Sequence, residues 1–216
     1  MRDTGEVSGV VLLSQPVGEF DKRLVILTRE RGKITAFARG ARRPKSPLIA
    51  VTGPFVFARF SLYEGRDAYT LAGAEAVDYL EGIARQMPGV FYGYYFLELA
   101  DYYGREGIES DGTVRLLYAA LRAILKEQMP PELIRGVFEI RMLVENGDYA
   151  PPEEEGSMGK AAFQALYHAA YAPYGRLFSF VLEEKAQQAF LKEVSHAMRA
   201  AVDKTFKSLA VLADLR

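Results

Sequence analysis

The hydrophobic pattern of this chain changes period near residue 80, and that change limits the available folds more than any other feature. Up to Tyr79 the apolar residues come in short runs rich in β-branched and aromatic side chains, broken by Gly, Pro and charged turns. The runs are VSGVVLL (7–13), RLVILT (23–28), ITAFAR (34–39), FVFARFSLY (55–63) and AYTLAGAEAVDY (68–79). Turns are expected at Gln15-Pro16-Val17-Gly18, at RERGK, at Gly53-Pro54 and at EGRD. Five short strands separated by turn signals within about 80 residues point to a small barrel, of which the OB-fold is the commonest.

Beyond residue 81 the spacing becomes helical. Phe91, Tyr95, Leu99 and Tyr102 share one face, as do Val114, Leu117, Leu121 and Ile124, then Leu133, Val137, Ile140 and Val144. Ser110-Asp111 starts the second of these helices, Pro130-Pro131 separates it from the third, and Asn146-Gly147 is a C-cap signal. Residues 146–159 (NGDYAPPEEEGSMG) read as a loop, and two or three helices follow, the clearest near 183–204 with Phe190, Val194, Ala197 and Ala201 on one face. The expected class is therefore α+β: an N-terminal five-stranded OB-fold barrel (1–80) followed by an all-α helical bundle (81–216).

With 216 residues, each part is long enough to bury a core. The opening Met1-Arg-Asp-Thr-Gly-Glu has no apolar segment of signal-peptide type, and no apolar run reaches membrane-spanning length, so a cytoplasmic protein is expected. The chain has no cysteine, which removes disulfides, thiolate metal sites and thiol catalysis.

The net charge is −1, but its distribution is uneven. Between Arg31 and Tyr63 there are seven cations and no Asp or Glu, where the chain average would place about four carboxylates. Residues 1–80 hold 12 basic and 9 acidic side chains, and the remainder 15 and 19. The loop ARGARRPKSPL (38–48) carries Arg39, Arg42, Arg43 and Lys45, with Gly40 and Pro44 keeping it from joining a strand. Such a cluster suits a phosphate backbone, because cations that neutralise phosphates release counterions whatever the base sequence. The plainer reading is a solvated loop kept cationic for solubility.

Strand alternation adds to the first reading. Lys33, Thr35, Phe37 and Arg39 fall on one face of the third strand, opposite Ile34, Ala36 and Ala38. In the fourth, Phe55, Phe57, Arg59 and Tyr63 oppose Val56, Ala58, Phe60 and Leu62. A face mixing aromatics and cations suits stacking of single-stranded bases, although Phe55 and Phe57 would serve equally well in packing. The candidate nucleic-acid-binding residues are Lys22, Arg23, Arg29, Arg31, Lys33, Phe37, Arg39, Arg42, Arg43, Lys45 and Arg59.

No constellation for catalysis emerges. His168 and His196 are isolated. GSMGK (156–160) lacks the glycine spacing of a phosphate loop and has Ala161 where Ser or Thr is required. Glu153-Glu154-Glu155 reads as a solvated acidic turn. The aromatic helix 91–103 reads as a buried core helix. A nuclease would need clustered carboxylates or a nucleophile–base pair, and neither is visible. The expectation is a binding protein with no cofactor.

One stretch carries a likeness to a known family. GVVLLSQPVGEFDKRLVILTRERGKITAFARGARRPKSPL (9–48) resembles the N-terminal region of the bacterial RecO family, recombination mediators in DNA repair. The resemblance rests on Gly18-Glu19, Asp21, Leu24, Leu27-Thr28, Glu30, Gly32 and Ala38 to Ser46, and continues more loosely through FARFSLYEGRDAYTLAGAE, ENGDYAP and FKSLAVL (206–212). It implies an OB-fold that binds single- and double-stranded DNA and anneals complementary strands. It also implies action with RecR to help RecA replace single-strand-binding protein, and a cytoplasmic, nucleoid-associated location. Relatives recognise the C-terminal tail of single-strand-binding protein, and here Lys185, Lys192, Arg199, Lys204 and Lys207 are the candidates for that contact. Many relatives also carry a four-cysteine zinc site in the region corresponding to about 150–182. This chain has PPEEEGSMGKAAFQ there and no cysteine, so that site does not transfer, and packing alone is expected to hold the loop.

Overall fold

The computed structural model describes residues 4–214. Five strands come first: β1 (Thr4–Val17), β2 (Asp21–Thr28), β3 (Gly32–Ala38), β4 (Phe57–Tyr63) and β5 (Tyr69–Asp78). They close into a barrel in the order β1-β2-β3-β5-β4, with β4 returning to β1. Only the β3–β5 pairing is parallel. This is the OB-fold topology, and the α+β class holds.

Alternation decides which side chains fill the barrel. Leu24 and Ile26, then Ile34, Ala36 and Ala38, then Ala58, Phe60 and Leu62 all point inward, joined by Val7, Val11, Val56 and Leu71. The large ring of Phe60 fits because Ala36, Ala38 and Ala58 are small, the size complementarity a narrow barrel needs.

Two strand boundaries differ from the sequence expectation. β1 does not stop for a turn at Gln15; Gln15, Pro16 and Val17 stay paired with Arg23, Lys22 and Asp21. The register with β4 ends at Val10, and after Val11, which still exchanges hydrogen bonds with Val56 and Phe55, the strand is an edge, where a proline lacking its N–H is tolerated. β4 begins at Phe57, because Phe55 sits at φ +69°, outside strand geometry. Phe55 and Phe57 are both buried, so they pack and are not available as stacking platforms.

Six helices follow: α1 (Gly89–Tyr103), α2 (Asp111–Lys126), α3 (Pro131–Glu145), α4 (Lys160–Tyr171), α5 (Glu184–Ala201) and α6 (Lys207–Asp214). Among the described residues, no helix is long and apolar enough to cross a membrane. The chain divides into two compact units: Met1–Glu81 with Leu97–Val114, and Gly82–Phe96 with Arg115–Arg216.

In the barrel unit, residues 104–110 run against the β2–β3 turn. The Lys33 N–H donates to the Arg105 carbonyl, Gly107 N–H to Arg31 and Ser110 N–H to Arg29, each at 3.0 Å, and Gly32 bridges Glu106 antiparallel. That added backbone pairing explains why a stretch outside the strands belongs to the barrel unit.

The helical unit is built around α3, whose Leu133, Ile134, Val137, Phe138 and Ile140 are buried. Gly136 lets α5 approach: a Cβ there would lie 2.8 Å from the Phe190 ring and 2.9 Å from Leu191. The 146–159 connection is held by more than packing. Tyr149 donates to Glu193 (3.0 Å) and Tyr167 donates to the Pro152 carbonyl (2.9 Å); farther on, Arg141 donates to the carbonyls of Ala170 and Ala172 at the end of α4. Hydrogen bonds thus occupy the region in which a four-thiolate set cannot form.

One carboxylate, Glu139, is buried in this core. It accepts a 2.6 Å hydrogen bond from the Tyr95 hydroxyl and lies 3.6 Å from Nε of Arg135. Burial pushes its pKa up, against the opposing pull of Arg135 and Tyr95. A raised acid binds its proton more tightly folded than unfolded, so its stabilisation is complete below the unfolded value and is lost as pH rises through the folded one. Glu139→Gln keeps an acceptor for Tyr95 and removes the charge. As pH rises above the ordinary carboxylate range, the Tm of the parent should therefore fall relative to that of the variant. Parallel Tm curves for the two proteins would rule this out.

Candidate nucleic-acid interface

The cationic loop is not a free strap. After β3 the chain winds through consecutive tight turns: Arg43 N–H donates to Gly40 O, Ser46 N–H to Arg43 O and Ile49 N–H to Ser46 O. Gly40 makes the first bend at φ +66°, and its N–H donates to Asp21 Oδ1 at 2.7 Å. Ala41 is buried with the barrel core and anchors the loop from below.

The loop is also clipped to the β1–β2 turn. Arg42 N–H donates to Phe20 O at 2.8 Å, and its guanidinium donates to the carbonyls of Gly18 and Glu19. The Arg43 guanidinium lies over the Phe20 ring, 5.2 Å from its centroid. Beneath them, Lys22 Nζ donates to Thr52 Oγ1 at 2.9 Å. Burial, and then the neighbouring Arg42 charge, lower the Lys22 pKa. Arg39, Arg42, Arg43 and Lys45 are all exposed, and none has a carboxylate partner among the described residues.

The outer face of β1–β3 continues from this loop. Phe37 is opposite Arg23, which is opposite Gln15 on the far side. The Arg23 guanidinium reaches Gln15 Oε1 and Thr35 Oγ1 at 3.4 and 3.5 Å, long contacts that hold it loosely. Phe37, Leu13 and Val17 are exposed apolar side chains on this face. In OB-folds the strand 2–3 face and the adjoining loops bind oligonucleotides.

The remaining candidates lie elsewhere and are paired. Arg29 contacts Asp111 at 3.0 Å, and Lys33 contacts Asp101 at 3.1 Å while also donating to its backbone carbonyl. Arg31 lies 3.7 Å from Glu64 and donates to the Tyr69 hydroxyl. Arg59 pairs with Glu75 at 2.9 Å. Arg29, Arg31 and Lys33 surround the β2–β3 turn, at the opposite end of β2 from the Asp21–Arg42 region. The acid-free run therefore acquires acids from distant parts of the chain, and its cations divide into an unpaired group at the 39–45 loop and a paired group at the other end.

Leu13, Gln15 and Val17 join this face without a signal in the sequence, because LLSQPV has the composition of a strand end rather than of a strand face. Arg66, exposed in the β4–β5 connection, lies in EGRD, which signals a turn but not a cation site. In the helical unit, Lys185, Lys192 and Arg199 are exposed on α5 at seven-residue intervals, which aligns them on one side of the helix. Lys204 follows α5 and lies 5.7 Å from the centroid of the Phe206 ring, and Lys207 begins α6.

Comparison with known proteins adds a family. Residues 1–80 match the family described as Recombination protein O N terminal, and residues 86–211 that described as Recombination protein O C terminal. The chain is 34% identical over 142 residues to the DNA repair protein RecO of Alkaliphilus metalliredigens (strain QYMF), covering 66% of this chain and 58% of the relative. It is 30% identical over 163 residues to the DNA repair protein RecO of Acetivibrio thermocellus, covering 75% and 64%. A third DNA repair protein RecO, from Clostridium perfringens (strain 13 / Type A), is 24% identical over 237 aligned positions, 96% of each chain. The first two matches span less than two thirds of the relatives' length.

Proposed function

The chain belongs to the recombination protein O family, and from this we propose that it acts in DNA repair and recombination as a mediator that binds DNA on its barrel. One observation carries the reading: the loop bearing four cations without carboxylate partners among the described residues is clipped to the β1–β2 turn through Arg42 and Arg43, on the strand face that carries the Phe37–Arg23 pair. Arg39, Arg42, Arg43 and Lys45 follow a phosphate backbone, Lys22 supports them from below, and Phe37 stacks a base. Arg29, Arg31, Lys33 and Arg59 contribute where a phosphate displaces their exposed carboxylate partners, which bind them weakly.

Two complementary strands repel through their phosphates. A barrel that holds one strand while its loop screens the other lets a duplex form without nucleotide hydrolysis. The activity is therefore binding and annealing of single- and double-stranded DNA rather than covalent chemistry. RecR is the proposed co-mediator, and RecA is reached indirectly. The working division is residues 1–80 for DNA and 81–216 for protein partners.

A second reading has its own observation. The aligned Lys185, Lys192 and Arg199 offer an exposed cationic stripe for the acidic C-terminal tail of single-strand-binding protein, flanked by Lys204 and Lys207. The two readings are separable in one experiment on the full chain. With about four phosphates neutralised on a single strand, DNA affinity should fall with salt at a log–log slope near −3. Replacing Arg42, Arg43 and Lys45 with Ala should weaken binding on every sequence and flatten the slope to about −1, leaving the tail peptide bound. Replacing Lys185, Lys192 and Arg199 with Ala should do the reverse. Fluorescence anisotropy at two salt concentrations reads both, and DNA binding that ignores the loop variant would remove the loop from the mechanism.

A further inference from the structure

A second surface, on the helical unit, has the opposite character. Phe163, Tyr167 and Tyr171 recur every four residues along α4, with ring centroids 4.9 and 5.8 Å apart, and form a ladder on one side of the helix. Tyr171 is 58% exposed. The Tyr167 hydroxyl donates to the Pro152 carbonyl, so Glu153, Glu154 and Glu155 leave the ladder's edge directly. These three carboxylates are exposed, and none forms an ion pair among the described residues. Glu193 of α5 is a fourth carboxylate, held by Tyr149 at 3.0 Å. Burial pushes the Tyr149 hydroxyl pKa well up; Glu193 and the Tyr167 and Tyr171 phenols add to the shift, which places all four groups in one neighbourhood. The adjacent cations are Lys160, at the first position of α4, and Lys192, about 100° round α5 from Glu193.

We propose that this acidic, tyrosine-lined face docks the cationic loop Arg39–Lys45 of a second copy of the chain. The chemistry matches on both sides. Aromatic faces attract guanidinium and ammonium groups, and tyrosines offer rigid contact area at low entropic cost. Four carboxylates oppose four cations that find no carboxylate in their own unit. Arg43 already lies over an aromatic ring, Phe20, so the loop's preferred partner is visible within the chain. The contact joins two different surfaces, so copies add head to tail rather than about a two-fold axis. Because the proposed DNA-binding loop is the element that docks, DNA and a second copy compete for it; this competition, unlike the docking, rests on the DNA reading.

Two measurements on the full chain test the docking: sedimentation velocity over a concentration series, and titration of a labelled peptide of residues 38–48. The expected result is self-association that weakens with salt and is reversed by oligo-dT, with the peptide binding to the chain. Glu153→Gln, Glu154→Gln and Glu155→Gln together should weaken peptide binding about tenfold, three exposed charge contacts being removed. Tyr171→Ser should weaken it as well, and both variants should keep the parent's DNA affinity and circular dichroism spectrum. A chain that stays monomeric and ignores the peptide overturns the proposal, as does peptide binding or self-association that survives both variants. If oligo-dT fails to bind while the peptide binds as described, the docking stands and the DNA reading falls.

Discussion

Gly32→Ala is expected to cost the barrel unit about 3 kcal/mol or more. Gly32 lies at φ +67°, where an L-residue other than glycine pays about 1–2 kcal/mol. The greater part is steric. An added Cβ would sit 2.1 Å from the Arg105 carbonyl oxygen and 2.4 Å from that of Ile108. Both are backbone atoms, in a segment pinned by hydrogen bonds at Lys33, Gly107 and Ser110, so no side-chain rotation relieves the clash. The segment must move away from the β2–β3 turn, taking the Arg29–Asp111 and Lys33–Asp101 pairs with it. Gly18→Ala is the matched control, since φ is +58° there but nothing lies within 4 Å of the new methyl. Urea unfolding followed by circular dichroism should separate the two by about 2 kcal/mol. Equal losses would mean that residues 104–110 are not held against the turn.

Arg141→Ala should destabilise the helical unit by about 3 kcal/mol, for a polar rather than a steric reason. The Arg141 side chain is 11% exposed and donates to the carbonyls of Ala170 and Ala172, at and just beyond the C-terminus of α4. Its guanidinium also lies 5.2 Å from the Tyr174 centroid and 3.7 Å from Glu145, which accepts a 2.5 Å hydrogen bond from the Tyr174 hydroxyl. Removing it leaves two carbonyls and a carboxylate without their cation. Burial already pushes the Glu145 pKa up, with Tyr174 and then Arg141 opposing. Losing Arg141 raises it further, so the variant's deficit should grow as pH rises through the folded Glu145 value. Arg141→Lys keeps the charge but not the planar fork that reaches both carbonyls, and should fall between the two. Thermal melts at two pH values, with limited proteolysis across 172–183, report the result. A Tm within a degree or so of the parent would show that the clamp does not hold this connection.

This clamp occupies ground that the sequence marked only by what it lacked. The absence of cysteine ruled out a thiolate staple, but nothing in the spacing of Arg141, Glu145 and Tyr174 announced that a guanidinium would bind the end of α4. Arg141 and Glu145 have the i,i+4 spacing common to solvent-facing helix pairs, and Tyr174 lies in a stretch without periodicity. By contrast, the inward set Ile34, Ala36, Ala38 and the set Ala58, Phe60, Leu62 were readable in advance, because a strand alternates whatever surrounds it. The caps were readable for the same reason: Asn146 N–H returns to Met142 O, and Gly147 takes φ +79°.

The strand ends were less legible. Gln15-Pro16-Val17 has the composition of a turn, yet β2 pairs with it to the last residue, and Phe55 looks like a strand residue but cannot be one at positive φ. In both places a local preference was overridden by partners that the local sequence does not contain.

Charge shows the division most clearly. From sequence alone, seven cations between Arg31 and Tyr63 stood without an acid; that determined a basic barrel face and a loop, 39–45, too punctuated to be a strand. Only the tertiary structure decided which cations of the barrel remain available: Asp101 and Asp111 reach Lys33 and Arg29 from far along the chain, while among the described residues no carboxylate pairs with Arg39 or Lys45. Periodicity and turn chemistry act between neighbouring residues and so are written in their order. Coulomb partners need only proximity in space, which the order does not contain until the chain has folded.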